Sequence, residues 1–212
     1  MDQDLSPFYA LAAEDPALAW VARGSGRMLR SPTVFEDVAK TICTTNCTWS
    51  ATTRMVGALV EHLGETAPGA PASGTLGRAF PTPAAMAAEK DAFYRDVVRA
   101  GYRGAYLRDI ARRVARGDLD LESLATSDED DERVRERLLA LPGVGPYAAA
   151  HILMTLGRHS RLILDSWTRP TYARMAGKRT VADATIERRF RRYGAWAGLA
   201  FWLTCTRDWV AD

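Results

Sequence analysis

Asp165 is the residue of this sequence best placed to do chemistry. It follows three aliphatic residues at 162–164 and precedes residues 166–168, where a helix is predicted to begin. A carboxylate that emerges from packed surroundings into a cleft can stabilise a developing positive charge or activate a water molecule. An aspartate at the start of a helix can also be a simple N-cap. The two interpretations are compatible, because a capping carboxylate at the edge of a cleft is held rigidly.

A segment rich in glycine and proline lies upstream of this aspartate, between two stretches with helical character. Pro142 and Gly143 are expected to end the first helix, since proline lacks an N–H group and glycine accepts positive φ. Gly145 leaves the backbone uncovered, and Pro146 suits the first position of the next helix. The predicted hairpin presents free N–H groups at a helix N-terminus, which favours an anion such as a phosphate. An ordinary helix–turn–helix connection is the alternative.

Together, the hairpin, its flanking helices and the aspartate that follows resemble the HhH-GPD superfamily of DNA glycosylases, which is named for these features. The resemblance implies an all-α fold of two helical lobes with the site in a cleft between them. One is a six-helix, barrel-like lobe over residues 34–156, with the helix-hairpin-helix at about 129–156. The other combines residues 1–33 and 157–212 and carries Asp165.

Helical periodicity supports this fold class. Apolar residues recur at helical spacing over most of the 212-residue chain, as at Phe35, Val38 and Ile42, and no segment alternates in the manner of a strand. Residues 65–76, rich in proline, glycine and alanine, predict a loop. With 47% hydrophobic residues the chain is expected to bury a core, and no apolar run is long enough for a membrane span.

Charge and location are the next constraints. The net charge is only +2, but lysine occurs only at positions 40, 90 and 178, so 25 of the 28 basic residues are arginine. Arginine suits phosphate and base-edge contacts, although a GC-rich genome produces the same bias. The N-terminal residues lack the positive region and apolar core of a signal peptide. A bacterial-type cytoplasmic location, in association with the nucleoid, is therefore expected.

The resemblance also implies a reaction. Removing a base from deoxyribose develops positive charge on the sugar, which Asp165 would stabilise while the base occupies a pocket outside the stack. Members that also cleave the strand place a lysine two residues after the second glycine of the hairpin. That position here is Tyr147, and no lysine occurs between Lys90 and Lys178. We therefore expect a monofunctional enzyme that hydrolyses the glycosidic bond and leaves an abasic site.

An aromatic residue at position 147 resembles the 3-methyladenine branch, in which the ring stacks on the flipped base. Cationic alkylated purines stack well on aromatic faces. The predicted base pocket consists of Tyr147, Trp167 and Phe201, with His151 at its edge. The alternatives are helix packing for Tyr147, core packing for Phe201 and a partnered or surface position for His151.

Two segments resemble the 8-oxoguanine branch instead. In the first, Asn46 would fill the space left by the flipped base. In the second, Tyr102 would wedge the duplex and Arg103 would contact the orphaned partner base. The branch has a second arginine five residues after its asparagine, whereas this chain has Ala51. A glycosylase that removes damaged purines, with an apolar, aromatic base pocket, is therefore the first hypothesis. An 8-oxoguanine-type glycosylase is an alternative.

The expected partner is double-stranded DNA with a damaged base, bound by a monomer through the hairpin amides of Gly143, Gly145 and Tyr147. A non-catalytic DNA-damage-binding protein is the rival hypothesis, because helix-hairpin-helix elements also serve as plain phosphate clamps. A lyase that acts through another amine, such as the N-terminus, is a weaker third.

No cofactor is expected to be required. The chain has too few cysteines for the four-cysteine iron–sulfur cluster of some relatives, since it contains only Cys43, Cys47 and Cys205. The resemblance implies a monovalent cation, Na⁺ or K⁺, on the hairpin carbonyls of Leu139, Leu141 and Val144.

Overall fold

The computed structural model describes residues 3–209 as an all-helical chain, which confirms the predicted fold class. Within this range the only extended pairing is one antiparallel bridge between Thr66 and Arg78. None of the helices in residues 3–209 has the length and apolar character needed to cross a bilayer. The α-helices, in chain order, are α1 (Ser6–Ala13), α2 (Val34–Thr44), α3 (Trp49–Leu63), α4 (Pro83–Ala88), α5 (Arg103–Ala115), α6 (Asp131–Leu139), α7 (Pro146–Thr155), α8 (Thr168–Met175), α9 (Asp183–Phe190) and α10 (Ala197–Cys205).

Shorter helical turns supplement these helices. A π-helical turn spans Phe93–Val97, where the sequence predicts a continued helix. The 3₁₀ turns are Ala19–Arg23, Glu122–Ala125, Arg191–Trp196 and Arg207–Trp209. Residues 1, 2 and 210–212 lie outside the described residues. They belong to the predicted second lobe, and residue 1 carries the N-terminal amine of the lyase alternative.

The contacts group the described chain into two units. Unit 1 comprises residues 3–30, 130–135 and 149–209, and unit 2 comprises residues 31–129 and 136–148. This grouping divides α6 and α7, whereas the predicted lobe kept the whole of 129–156 together.

Two of the ion pairs within unit 1 involve the first turn of α6. Asp131 accepts a hydrogen bond from Arg158 at 3.0 Å, and Glu132 binds Arg161. These pairs join the first turn of α6 to the segment that follows α7, all within unit 1.

The core of unit 1 surrounds α10. This helix is apolar on nearly every side and is therefore buried along its length. Phe201 is fully buried, and its ring packs edge-on against Phe190 at 5.3 Å and tilted against Tyr172 at 6.0 Å. Burying a side chain of this size contributes roughly 1.5–3 kcal/mol.

A close backbone contact fixes the start of α10. The Gly198 N–H donates to the His159 carbonyl at 2.7 Å, and a Cβ atom at position 198 would collide with the Arg161 carbonyl oxygen. The His159 ring is stacked on Trp196 at 5.4 Å, and burial lowers the pKa of this imidazole to about 4. Only glycine therefore allows α10 to approach the segment at 159–161.

Asp15 forms a second fixed point of unit 1. Its carboxylate accepts hydrogen bonds from Ala17 N–H at 3.0 Å, from Arg189 at 3.2 Å, and from Arg192 and the Tyr193 hydroxyl. Burial alone would raise the pKa of Asp15, but these hydrogen bonds and the charge of Arg192 outweigh it and lower the pKa to about 2.

In unit 2, α2 packs against α3 and α5, and α4 packs against α5. The first turn of α2 is capped twice. The Glu122 carboxylate accepts the N–H groups of Val34 and Phe35 at 2.9 and 3.0 Å, and the Thr33 hydroxyl accepts that of Glu36 at 3.2 Å. These caps satisfy N–H groups that the helix leaves free and fix where α2 begins.

The predicted hairpin is present between α6 and α7. The Leu141 N–H donates to the Leu138 carbonyl at 3.0 Å, and the Val144 N–H donates to the Leu141 carbonyl at 3.2 Å. Gly143 has φ +81°, and a Cβ there would lie 2.6 Å from a ring carbon of Tyr106. Its identity is therefore set by both backbone conformation and space.

Replacing Gly198 by alanine is expected to lower the unfolding free energy by about 1–3 kcal/mol, because the new methyl group meets backbone that cannot rotate away. Gly57→Ala is the matched control. Gly57 lies inside α3, and a Cβ there would meet only a methyl carbon of Thr75, at 3.9 Å. That change should stabilise the protein by up to about 1 kcal/mol. Urea unfolding midpoints compare the two, and equal shifts in the same direction would contradict the prediction.

Asp15→Asn is expected to remove a pH-dependent part of the stability. A carboxyl whose folded-state pKa is about 2, against 3.8 when unfolded, stabilises the fold above pH 3.8 and loses this contribution as the pH falls towards 2. The loss amounts to at most about 2 kcal/mol. Unfolding measured from pH 6 to pH 2 should show a weaker pH dependence for Asp15→Asn than for the exposed control Asp118→Asn.

Candidate functional site

Asp165 lies three residues before the first residue of α8 and is half-buried. Its Oδ1 accepts the N–H groups of Trp167 at 2.8 Å and Thr168 at 2.6 Å. In return, the Asp165 N–H donates to the Thr168 hydroxyl at 2.9 Å, and that hydroxyl donates to the Ile163 carbonyl at 2.8 Å. The carboxylate thus closes the turn at residues 165–168 that leads into α8, and its Oδ1 is held in place.

The other carboxylate oxygen of Asp165, Oδ2, has no hydrogen-bond partner among residues 3–209. Nor does any cation in that range form an ion pair with Asp165. Arg169 binds Asp183 instead, at 2.8 and 2.9 Å, and these hydrogen bonds raise the Arg169 pKa, with a small contribution from the charge of Asp165. The negative charge of Asp165 is therefore not neutralised within the part of the chain that the structure describes.

Cys205 adds a neutral group to the same neighbourhood. Burial, with a smaller contribution from the nearby charge of Asp165, raises the pKa of this thiol to about 12. The thiol therefore stays protonated at neutral pH and is a poor acid. Its Sγ lies 3.9 Å from the Thr168 carbonyl oxygen.

Three tryptophans form an aromatic cluster at the start of α8. The Trp167 ring lies 5.9 Å from that of Trp202 and 5.1 Å from that of Trp209, and the last two are 5.9 Å apart. Trp167 is 36% and Trp209 is 64% exposed, so part of the cluster faces solvent. Of these three, the sequence predicted only Trp167 as a site residue. Trp209 reaches the cluster from the 3₁₀ turn that follows α10, which no spacing in the sequence indicates.

The other three residues of the predicted base pocket differ in their burial. Phe201 is fully buried in the core of unit 1, so the geometry favours the core alternative for this residue. Tyr147 is half-buried, and its hydroxyl lies 3.1 Å from the Thr44 hydroxyl at the end of α2. His151 is half-buried one turn further along α7.

Around the hairpin, a Cβ added to Gly145 would meet nothing within 4 Å, so this face of the turn is open. The carbonyls of Leu139, Leu141 and Val144 are uncharged oxygen donors. That of Leu141 already accepts the Val144 N–H and keeps a second lone pair. No cluster of three or more His, Cys, Asp or Glu side chains in residues 3–209 is arranged to hold a metal ion.

Asn46 and Tyr102 lie next to each other in unit 2. The Asn46 side-chain amide donates to the Tyr102 hydroxyl at 3.3 Å, and both residues are exposed. Asn46 has φ +46°, a backbone conformation that few residues other than glycine adopt.

Arg103, which the sequence predicts to contact an orphaned base, is largely buried in unit 2. Only 7% of the residue is exposed. Its guanidinium donates to the carbonyls of Thr45 at 2.9 Å, Asn46 at 3.1 Å and Ala100 at 3.4 Å, and it lies over the Tyr102 ring at 4.6 Å. The arginine fork is occupied by backbone carbonyls, so Arg103 anchors the segment that presents Asn46 and has no free face for a base.

No protein-family model matches this sequence, and no curated protein matches it either. Solved structures do match. The 8-oxoguanine glycosylase/lyase of Clostridium acetobutylicum, in complex with double-stranded DNA containing cytosine opposite 8-oxoguanine, has a TM-score of 0.76 and 23% identity over 97% of this chain and 71% of that chain. The 3-methyladenine DNA glycosylase of Archaeoglobus fulgidus has a TM-score of 0.72 and 20% identity over 99% and 71%.

A third structure, the 3-methyladenine DNA glycosylase of Schizosaccharomyces pombe in complex with abasic DNA, has a TM-score of 0.71 and 16% identity over 99% of this chain and 98% of that chain. The helical chain therefore shares its fold with these structures, over 71% of the length of the first two and 98% of the third. At identities below 25% the similarity concerns the fold, and the chemistry must be argued from the residues of this chain.

Arg103→Ala is expected to lower the unfolding free energy by about 2 kcal/mol or more, because it removes the guanidinium donor of the Thr45 carbonyl and empties a position that is only 7% exposed. Hydrogen exchange should quicken at residues 45–49. Arg95→Ala is the control, since Arg95 is exposed and bonds only its neighbour Asp96. Unchanged stability and exchange in Arg103→Ala would restore the base-contact interpretation.

Proposed function

We propose that this protein is a monofunctional DNA glycosylase of base excision repair, which flips a damaged purine out of the duplex and hydrolyses its N-glycosidic bond. The observation that carries the proposal is the Asp165 carboxylate, with one oxygen held by two backbone N–H groups and the other without a partner among residues 3–209. The shared fold supports it, because the three solved structures described above are DNA glycosylases.

In the proposed reaction, the bond between C1′ and the base nitrogen breaks and its electron pair leaves with the base. The sugar becomes cationic, and Asp165 supplies the opposing negative charge. Water then bonds to C1′, and its proton passes to the free carboxylate oxygen and on to solvent. The products are a free base and an abasic site.

The surroundings of Asp165 favour an alkylated, cationic purine as substrate. Such a base leaves as a neutral molecule and needs no acid to protonate it. The exposed faces of Trp167 and Trp209 offer aromatic surface on which a cationic base would stack.

Tyr147 supports the monofunctional assignment. A lyase reaction through a Schiff base requires an amine, and the position that carries lysine in the family this chain resembles is tyrosine here. The ring of Tyr147 is proposed to contribute to the base pocket.

The hairpin is proposed to hold a DNA phosphate with the backbone N–H groups of Gly143, Gly145 and Tyr147. The open face at Gly145 supports this role, because a side chain there would keep a phosphate away from the amides. The carbonyls of Leu139, Leu141 and Val144 fit a monovalent cation by their donor chemistry. When bound, such a cation would add positive charge beside the phosphate.

Asp165→Asn is the decisive test. Asparagine keeps a carbonyl oxygen for the cap of α8 but loses the charge, so DNA binding and stability should persist while base release falls by at least about 100-fold. Asp130→Asn is the matched control, because Asp130 accepts the Arg133 N–H at 2.8 Å at the start of α6. The measurement is single-turnover base release from duplexes that carry 3-methyladenine, 7-methylguanine, hypoxanthine or 8-oxoguanine.

Base release by Asp165→Asn at the wild-type rate would refute the assignment of Asp165. Tight binding of these duplexes by the wild-type protein with no release from any of them would identify a damage-binding protein instead. Borohydride trapping accompanies the assay, and a covalent protein–DNA adduct would refute the monofunctional reaction.

A further inference from the structure

Two segments of unit 2, residues 45–49 and 99–103, form what we call the two-loop surface. The hydrogen bond between Asn46 and Tyr102 joins them on the exposed side, and the buried guanidinium of Arg103 joins them beneath. The two segments are therefore held in one fixed arrangement.

Backbone strain is concentrated on this surface. Asn46 and Arg99, with φ +46° and +54°, are the only residues other than glycine in the range 3–209 with positive φ. The side chain of Arg54 holds the second turn in place by donating to the Val98 carbonyl at 2.7 Å and the Arg99 carbonyl at 3.5 Å. Such strain persists only where the surrounding structure enforces it, and it is typical of binding sites.

Trp49 projects from the first segment into solvent. It is 77% exposed, and its ring contacts no other aromatic ring in the described part of the chain. Its backbone is nevertheless well fixed, because the Thr48 hydroxyl accepts the Ala51 N–H at 3.3 Å and the Thr52 hydroxyl donates to the Cys43 carbonyl at 3.0 Å. A large aromatic side chain is thus presented on a rigid base.

The charge of the two-loop surface is positive. Neither segment contains aspartate or glutamate. Arg99 is exposed, and within residues 3–209 its side chain forms no hydrogen bond or ion pair. An exposed aromatic ring, a free guanidinium and side-chain amide and hydroxyl groups are the chemistry that recognises bases and phosphates of nucleic acid.

We propose that Trp49 stacks on an unpaired base at the lesion in duplex DNA and that Arg99 contacts a phosphate beside it. This inference rests on the proposed function and adds to it the residues that hold the distorted duplex. Trp49 contacts the DNA beside the position that the flipped base leaves empty. It takes no part in the chemistry at the sugar.

The experiment measures binding to a duplex that holds a stable abasic analogue opposite 2-aminopurine. Stacking on an aromatic ring quenches the fluorescence of this base. Trp49→Ala should bind about 10-fold more weakly and lose the quenching, whereas Trp49→Phe should retain most of both. Leu76→Ala is the matched control, since Leu76 is 73% exposed, belongs to the same unit and lies outside the two-loop surface.

Arg99→Ala should weaken binding to damaged and undamaged duplexes alike and should lower the salt slope of log Kd by about one. Wild-type affinity and quenching in Trp49→Ala, with base release intact, would overturn this proposal and leave the proposed function standing. Failure of the wild-type protein to bind any duplex would overturn both.

Discussion

The reciprocal hydrogen bonding between Asp165 and Thr168 is the constraint on which the proposed active site depends. A half-buried carboxylate without fixed partners would turn towards water or acquire a counter-ion. Here Oδ1 accepts the N–H groups of Trp167 and Thr168, and the buried Thr168 hydroxyl both accepts from the Asp165 N–H and donates to the Ile163 carbonyl. Hydrogen bonds of this kind contribute about 1 kcal/mol to stability, and they leave the second oxygen of the carboxylate without a partner among residues 3–209. A local rule of helix formation thus positions the group on which the chemistry would rest.

In unit 2, the hydrogen bonds of an arginine hold a candidate DNA-binding surface in one arrangement. Arg103 gives its donors to carbonyls of both segments of the two-loop surface, so residues 45–49 are ordered before any ligand arrives. A surface that is already ordered does not lose conformational entropy when it binds, and more of the contact energy appears as affinity. The buried charge is costly to desolvate, but it is compensated because the planar fork meets several carbonyl oxygens at once.

The sequence was sufficient for those features that local chemistry decides. Pro142 and Gly143 predicted the turn of the hairpin, and helical spacing predicted the all-α fold, because both depend on neighbours in the chain. Arg103 could not be placed in the same way, since arginine is exposed in most proteins and its burial depends on carbonyls that lie more than fifty residues away in sequence. Phe201 remained ambiguous for a similar reason, because an aromatic residue on an apolar helix fits a core and a pocket equally well.

The neighbourhood of Asp165 sets a condition on the substrate of the proposed reaction. A carboxylate with no ion-pair partner among residues 3–209, close to partly exposed indole rings, would favour a base that carries positive charge. A base that already carries positive charge meets this condition twice, because it leaves as a neutral molecule and it is attracted to aromatic faces before it leaves. Discrimination between damaged and normal purines would then follow from the charge of the base itself, since a neutral purine both stacks less strongly and departs more slowly.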